Sequence, residues 1–415
     1  MNRCVTVIGA GIVGICSALQ LQRRGFKVTL LDRRPPASET SYGNAGVISR
    51  GSVFPSAAPG IHKKLPEILT NRSREARLHY RYLGQLSPWA RRILKNANTE
   101  KFEQNINALN ALVCLCLKEH KALLGECNGL DLLRENGWIK LFRTAESFEN
   151  SASEQHYLDK CDIDFERLNS ASILEFESGL NPVFTAGLWI KNTASVSSPG
   201  VVCELYAKQF RDMGGTIVLD ELEQLEWRDD QWKISCANSQ SQTDSVVVAL
   251  GAWSKVVLEE LGYKVPMVVE RGYHMHYEMS EGTQLSRPVY DVDGGYVMSP
   301  MQKGLRVTTG VEWGSENTAA TPVQLKQIQP FVKQAINIAD ELDPEPWLGR
   351  RPCTPDSLPV IGAAHKHRNL WLAFGHGHMG FSMGPITGQL IADLITDQKP
   401  VLDMDAFSLS RFDQT

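Results

Sequence analysis

Apolar and polar positions change rhythm three times within the first 34 residues. Val5, Val7 and Ile8 belong to a short β-branched run that predicts a buried strand. Ile15 to Arg24 carries apolar positions at helical spacing, and Lys27 to Leu31, after Gly25, predicts a second strand. Similar signals return later. Ser198-Pro199 predicts a helix start with a serine cap and proline in the first position, the helix running from Val201 to Met213 and stopping at Gly214-Gly215. Strands follow at Thr216 to Leu219, Trp232 to Ser235 and Val246 to Leu250, and again at Leu370 to Phe374 before a helix to Ile395. Residues 62–125 keep a three- and four-residue apolar step through Ile106, Leu109, Val113, Cys116 and Leu117, which predicts helices. Residues 264–312 alternate instead, with Tyr290, Tyr296, Val297 and Val307 on short strands and Gly272 and Gly294-Gly295 as turns, which predicts an antiparallel sheet.

Between the first strand and its helix stands Gly9-Ala-Gly11-Ile-Val-Gly14, and the second strand ends on Asp32. In a βαβ unit such glycines let a diphosphate approach the helix N-terminus and its positive dipole, and a carboxylate ending the second strand accepts hydrogen bonds from a ribose. Asp32 also disfavours a 2′-phosphate. The segment has the basic start and apolar middle of a secretion signal, but its ordered strand, turn and helix argue for dinucleotide binding. No other stretch offers the roughly eighteen uninterrupted apolar residues of a membrane span.

A chain of 415 residues exceeds one ordinary core. The predicted segments divide it into a discontinuous cofactor-binding domain, residues 1–60, 191–263 and 345–415, and a substrate domain, residues 61–190 and 264–344. A composition 42% hydrophobic and 22% charged is globular, and a net charge of −4 supplies no cationic field for nucleic acid. Arg72, Arg74, Arg77, Arg81, Arg91 and Arg92 interleave with Glu75 and apolar residues as a solvated helix face, with peripheral membrane contact as the alternative. Nine cysteines without a C-x-x-C pair read as packing thiols of a reducing compartment. The expected location is the cytoplasm, or the inner face of a bacterial membrane.

The first turn alone does not separate FAD from NAD. Asp32 is followed by Arg33-Arg-Pro-Pro and then Glu39-Thr-Ser-Tyr-Gly-Asn-Ala-Gly46, a hydroxyl-rich loop that offers donors along a long cofactor where a further Rossmann helix would otherwise start. Val246 to Leu250 ends in Gly251-Ala-Trp-Ser254, bare backbone at the carboxyl edge of a sheet. Near the end, Gly349-Arg-Arg351-Pro-Cys-Thr-Pro-Asp-Ser-Leu-Pro-Val-Ile-Gly362 precedes Gly375-His-Gly-His-Met-Gly-Phe-Ser382-Met-Gly-Pro-Ile-Thr-Gly388. That second glycine-rich turn into a helix presents N–H groups to something electron-rich, as the pyrimidine edge of a reduced flavin is.

Taken in order, VIGAGIVG with Asp32, ETSYGNAG, ALGAWS, RPCTPDSLPVIG and GHGHMGFSMGPITGQLIADLI resemble the FAD-dependent D-amino-acid dehydrogenase and oxidase family, with a lean toward its D-proline and D-hydroxyproline branch. The resemblance implies a flavin domain of the glutathione-reductase type, an interleaved α+β substrate domain on an antiparallel sheet, and oxidation of an amine carbon beside a carboxylate. It implies that Arg351 grips that carboxylate. The residues expected to hold FAD are Gly9, Gly11, Ile12, Val13 and Gly14; Asp32 and Arg33; Thr40, Ser41, Asn44, Ala45 and Gly46; Leu222, Gly251 and Trp253; and Gly377, Met379, Gly380, Ser382 and Met383. Cys353 directly precedes Thr354, out of step with relatives that carry a flavin-linked cysteine, so FAD is expected to be non-covalent. Arg350, where an apolar residue is commoner, leaves two arginines to face the substrate.

The chemistry expected is orientation of a neutral amine against the flavin, giving an imine or 2-oxo acid, with electrons passed to a quinone or another acceptor. Tyr273 and Tyr296 are candidates to hydrogen-bond the substrate carboxylate, and His378 to stand near the flavin. Three H-x-H pairs, His274 with His276, His365 with His367 and His376 with His378, have no carboxylate or cysteine cluster at ligand spacing beside them, so no metal is expected. Glycine, sarcosine and opine-type amines are alternative substrates. A catalytically silent flavoprotein and an NAD-dependent dehydrogenase are the alternatives of other classes.

Overall fold

The computed structural model describes residues 3–315 and 318–413. A six-stranded sheet runs in the order Thr216–Leu219, Lys27–Asp32, Cys4–Ile8, Ser245–Val248, Leu370–Phe374 and Val360–Ala363, with the first five parallel and the last antiparallel. Its middle strands are buried on both faces, which is why Ser245–Val248 reads as a continuous apolar run and not as an alternation. Val5, Val7, Leu30, Val247 and Ala373 face helices Ile12–Arg23 and Gly380–Ile395. Ile8, Leu31, Val246, Val248 and Leu372 face a small antiparallel meander through Leu225, Trp232 and Ile234.

This sheet brings the two ends of the chain together. The first and last helices pack so closely that a Cβ on Gly384 would lie 2.9 Å from Ile12 Cγ1, and one on Gly388 2.5 Å from the Cys16 backbone carbon. Pro385 lies inside the last helix and cannot donate to the carbonyl of Phe381. His120 fills that gap, its Nε2 lying 2.9 Å from Phe381 O and its Nδ1 3.1 Å from the Tyr206 hydroxyl. Burial pushes His120 down to about 4, so it is a neutral imidazole that donates through Nε2 and accepts at Nδ1.

The second sheet has eleven strands and is mostly antiparallel. Its spine is Val268–Met279, buried through its first ten residues and paired with Gly304–Thr309, Val311–Trp313, Ile338–Glu341 and Trp347–Cys353. Beyond Gly304–Thr309 come Tyr296–Met301, Val289–Asp291, Trp138–Phe142, Ala186–Ile190 and Phe165–Asn169. Strand Trp347–Cys353, just past the expected border at residue 345, therefore hydrogen-bonds in this sheet while it also faces the first.

Two sequence expectations are corrected here. Gly272 is not a turn but the middle of the spine strand, where the absence of a side chain admits Arg351: a Cβ there would lie 2.3 Å from the guanidinium Nη2. Residues 62–125 are not helical throughout. Strand Ala76–Leu78 pairs with Val311–Trp313 before the helices Leu83–Asn96 and Thr99–Glu126, the latter capped by Asn98, whose Oδ1 accepts from Lys101 N at 3.0 Å. Among the described residues no helix is long and apolar enough to cross a membrane.

Candidate active site

A cavity of about 710 Å³ lies between the two sheets, within the ~300–1,000 Å³ usual for ligand pockets. At one end Gly9, Gly11, Ile12 and Val13 line it, with Asp32, Arg33, Leu222, Gly251 and Trp253. Gly9 has φ +112°, and a Cβ on it would lie 2.4 Å from Ala249 O. Asp32 Oδ2 accepts from Ala10 N at 2.6 Å and Oδ1 from Arg34 N at 3.0 Å, so the carboxylate is fixed in orientation with lone pairs left over. Gly11, at the N-cap of the first helix, brings no side chain of its own to the helix N–H groups. Gly14 is not on the lining: it is the contact between the helix and the turn, its Cβ position 1.8 Å from Gly9 O.

The two arginines separate here. Arg350 lies 5.8 Å from the Trp253 ring centroid, where Arg33 also sits at 4.9 Å, and its carbonyl accepts from Thr40 Oγ1 at 2.8 Å. Its neighbour along the strand, Arg351, reaches toward the spine, donating through Nη1 to Gly310 O at 2.9 Å and through Nη2 to Thr309 O at 3.3 Å.

In the middle of the cavity the hydroxyl-rich loop and the closing glycine turn are tied together. Asn44 Nδ2 donates to His378 O at 3.2 Å while its Oδ1 accepts from Gly46 N at 2.8 Å, and Ser382 Oγ donates to Val47 O at 2.9 Å. Ser41 Oγ accepts from Ile12 N at 3.0 Å. Ala45, Gly377, Met379 and Gly380 line the space beside them. Gly46 and Met383 stand behind this wall. Gly46 turns the chain at φ +72°, with Val196 O 2.7 Å from where its Cβ would be, and Met383 is wholly buried core.

The other end holds Arg351, Tyr273, Tyr296 and His378, joined by Glu75, Trp138 and Tyr290, whose part at the cavity was missed from sequence. The Arg351 guanidinium closes no ion pair among the described residues; its hydrogen bonds go to the two carbonyls. Burial lowers its pKa, opposed first by Glu270 and then by Cys353. His378 is pushed down to about 4, first by burial and then by Arg351, and His376 to about 3 by burial. Both imidazoles are neutral, so Arg351 keeps the positive charge at this end.

Both tyrosine hydroxyls point elsewhere than the carboxylate role expected of them. Tyr273 O–H donates to Glu312 Oε1 at 2.8 Å and accepts from Arg271 Nη2 at 3.0 Å and Thr321 N at 2.8 Å, which fills its capacity. Tyr296 is hydrogen-bonded to Asp291 and accepts from Arg143 Nη2 at 3.4 Å. Their rings wall the cavity and their oxygens brace the sheet behind it. The absence of a carboxylate beside the H-x-H pairs is also corrected: Asp343 joins His274 and His276. His276 Nδ1 lies 2.7 Å from Asp343 Oδ2, and its Nε2 accepts from Arg306 Nε at 3.0 Å. Arg306 in turn donates to Tyr42 O at 3.0 Å and Asn44 O at 2.6 Å, so the cluster braces the hydroxyl-rich loop.

Residues 4–394 match the family model described as DAO, FAD dependent oxidoreductase. The chain is 31% identical over 421 aligned residues, 99% of each chain, to a D-amino-acid oxidase of Bradyrhizobium diazoefficiens. The chain belongs to the DAO family of FAD-dependent oxidoreductases. In fold it is similar to glycine oxidase from Geobacillus kaustophilus, with a TM-score of 0.75 and 21% identity over 99% of each chain. It is also similar to L-proline dehydrogenase from P. horikoshii, with a TM-score of 0.73 and 17% identity over 100% of this chain and 98% of that one.

The lining fits the DAO-family cofactor. Two helix N-termini, at Gly11, where Ser41 Oγ takes the Ile12 N–H, and at Gly377–Gly380, face one cavity, which suits a diphosphate at one and an electron-rich ring at the other. Asp32 keeps acceptors for a ribose.

Proposed function

We propose that this protein oxidises D-amino acids at the bond between Cα and nitrogen, giving an imine that hydrolyses to a 2-oxo acid unless it is cyclic. Two electrons pass through non-covalently bound FAD to a quinone or another acceptor. The observation that carries the reading is Arg351: a guanidinium lining the cavity, backed by two carbonyls and free of any ion pair among the described residues. A planar fork of donors with no ion pair closed on it, its nearest carboxylate influence being Glu270 behind it on the spine, is built for a carboxylate arriving with the substrate. No cysteine is found among the lining residues, and Cys353 hydrogen-bonds Glu270 behind the wall, which supports non-covalent FAD.

Bound FAD supplies the two-electron acceptor for the amine. This chain's residues supply position. Arg351 fixes the carboxylate, and Gly310 and Thr309 fix Arg351. His378 offers a neutral imidazole beside it, which does not repel an incoming ammonium as an imidazolium would. Asn44 fixes the backbone that carries His378.

The test is anaerobic addition of a panel of D- and L-amino acids, with D-proline, cis-4-hydroxy-D-proline, glycine and sarcosine, to the yellow protein. Flavin absorbance is expected to bleach with D-amino acids, and a dye to be reduced in turn. A protein that bleaches with none of the carboxylated amines refutes the proposal. Gly272→Ala gives a finer check. Its Cβ must push the guanidinium aside, so KM should rise about tenfold, ~1.4 kcal/mol, with flavin content unaltered.

A further inference from the structure

The substrate end of the cavity carries opposite charges on either side of one residue. The Gly310 carbonyl holds Arg351, while a Cβ on Gly310 would lie 2.0 Å from the backbone oxygen of Glu75, whose side chain lines the same cavity. Tyr290 O–H donates to Glu75 Oε1 at 3.1 Å, and Trp138 stacks on Tyr290 with centroids 6.3 Å apart and planes within 6°. The other cations nearby are engaged elsewhere or loosely placed. Lys64 makes a long ion pair with Glu75, Nζ 4.0 Å from Oε2, on side chains 72% and 46% exposed. Arg74 donates to Asp293 O at 2.9 Å and lies over Phe331, and Lys140, 5.5 Å from the Tyr290 centroid, is paired with Glu154.

We infer that Glu75 selects amino acids whose side chain ends in a cation, an ammonium or guanidinium. The inference rests on the proposed role of Arg351. With the carboxylate on Arg351, the side chain runs along the Trp138–Tyr290 wall, which suits an aliphatic stem, and its charged end meets Glu75. An apolar or cyclic side chain there displaces water from a carboxylate and gives nothing back, whereas a cation restores a charge-assisted hydrogen bond. Glu75 is the specificity residue in this scheme, and Tyr290, bonded to it, is a positioning residue.

The experiment compares D-lysine with D-norleucine, and D-arginine with D-methionine, on the flavin-loaded full-length protein with an artificial dye. The quantity read is the ratio of kcat/KM for the charged to the uncharged partner. About a tenfold preference for the charged substrates is expected, and Glu75→Gln, which keeps an acceptor for Tyr290, should remove most of it. Glu67→Gln, a surface change in the preceding helix Leu65–Leu69, controls for net charge and should leave the ratio as it was. A wild-type ratio below one, or a ratio that falls less than threefold in the Glu75 variant, overturns the inference. If D-amino acids are oxidised in either of those cases, the proposed function stands without it. If no carboxylated amine is oxidised, the proposed function itself has failed and the inference goes with it.

Discussion

Arg351→Leu is expected to lower kcat/KM for every carboxylated amine on the order of 10²–10³-fold, about 3–4 kcal/mol, while the protein stays yellow. The magnitude follows from two observations. The guanidinium lies in surroundings that lower its pKa, so an anion meeting it there is poorly screened. It is also pre-aimed by Gly310 and Thr309, so little ordering is required on binding. Arg350→Leu makes the contrast, since its side chain is turned toward Trp253 and its backbone contacts, with Thr40 through N–H and carbonyl and with Arg271 across the strands, survive the change. Steady-state kinetics and flavin content of the two variants check this. If Arg351→Leu shifts apparent affinity no more than Arg350→Leu does, the carboxylate is held elsewhere and the proposed function loses its support.

That contrast also marks what a sequence carries. The first turn was legible because its glycines, Asp32 and flanking strands are close in the chain and each obeys a local rule; strands Thr216–Leu219 and Leu370–Phe374 fall where the apolar runs predict them, and Ser198 caps its helix through Val201 N at 3.4 Å. The substrate end was not legible in the same way. Tyr273 and Tyr296 sit on predicted strands, but the direction of a hydroxyl depends on Glu312, Thr321, Arg143 and Asp291, partners supplied by tertiary pairing. Asp343 reaches His276 across 67 residues for the same reason. Glu75 lies among arginines that mimic a solvated helix face, and only the pairing of Ala76–Leu78 with Val311–Trp313 reveals that it borders the cavity. Gly272 was misread because glycine signals a turn far more often than it signals room for a neighbour's side chain.

Gly14→Val is expected to yield a protein that holds little or no flavin and is less stable by on the order of 3 kcal/mol or more. A Cβ on Gly14 would fall 1.8 Å from Gly9 O and 2.9 Å from Gly9 C, both backbone atoms of the turn that faces the cofactor, so no side-chain rotation relieves the overlap. The first helix must lift from its strand or the turn must deform, and either movement displaces Gly11 and the helix N-terminus from the cavity. Because the last helix packs on the first through Gly384 and Gly388, the disturbance reaches the closing glycine turn at the other side of the cofactor. Gly25→Ala separates this from simple backbone strain. Gly25 has φ +81° with no atom within 4 Å of its Cβ position, so the change should cost roughly 1 kcal/mol and leave the flavin in place. Absorbance at the flavin band and denaturant midpoints of both variants give the answer. Full flavin occupancy in Gly14→Val would mean that the turn does not form the wall of the cofactor site, and that the two ends of the chain meet there only to build a core.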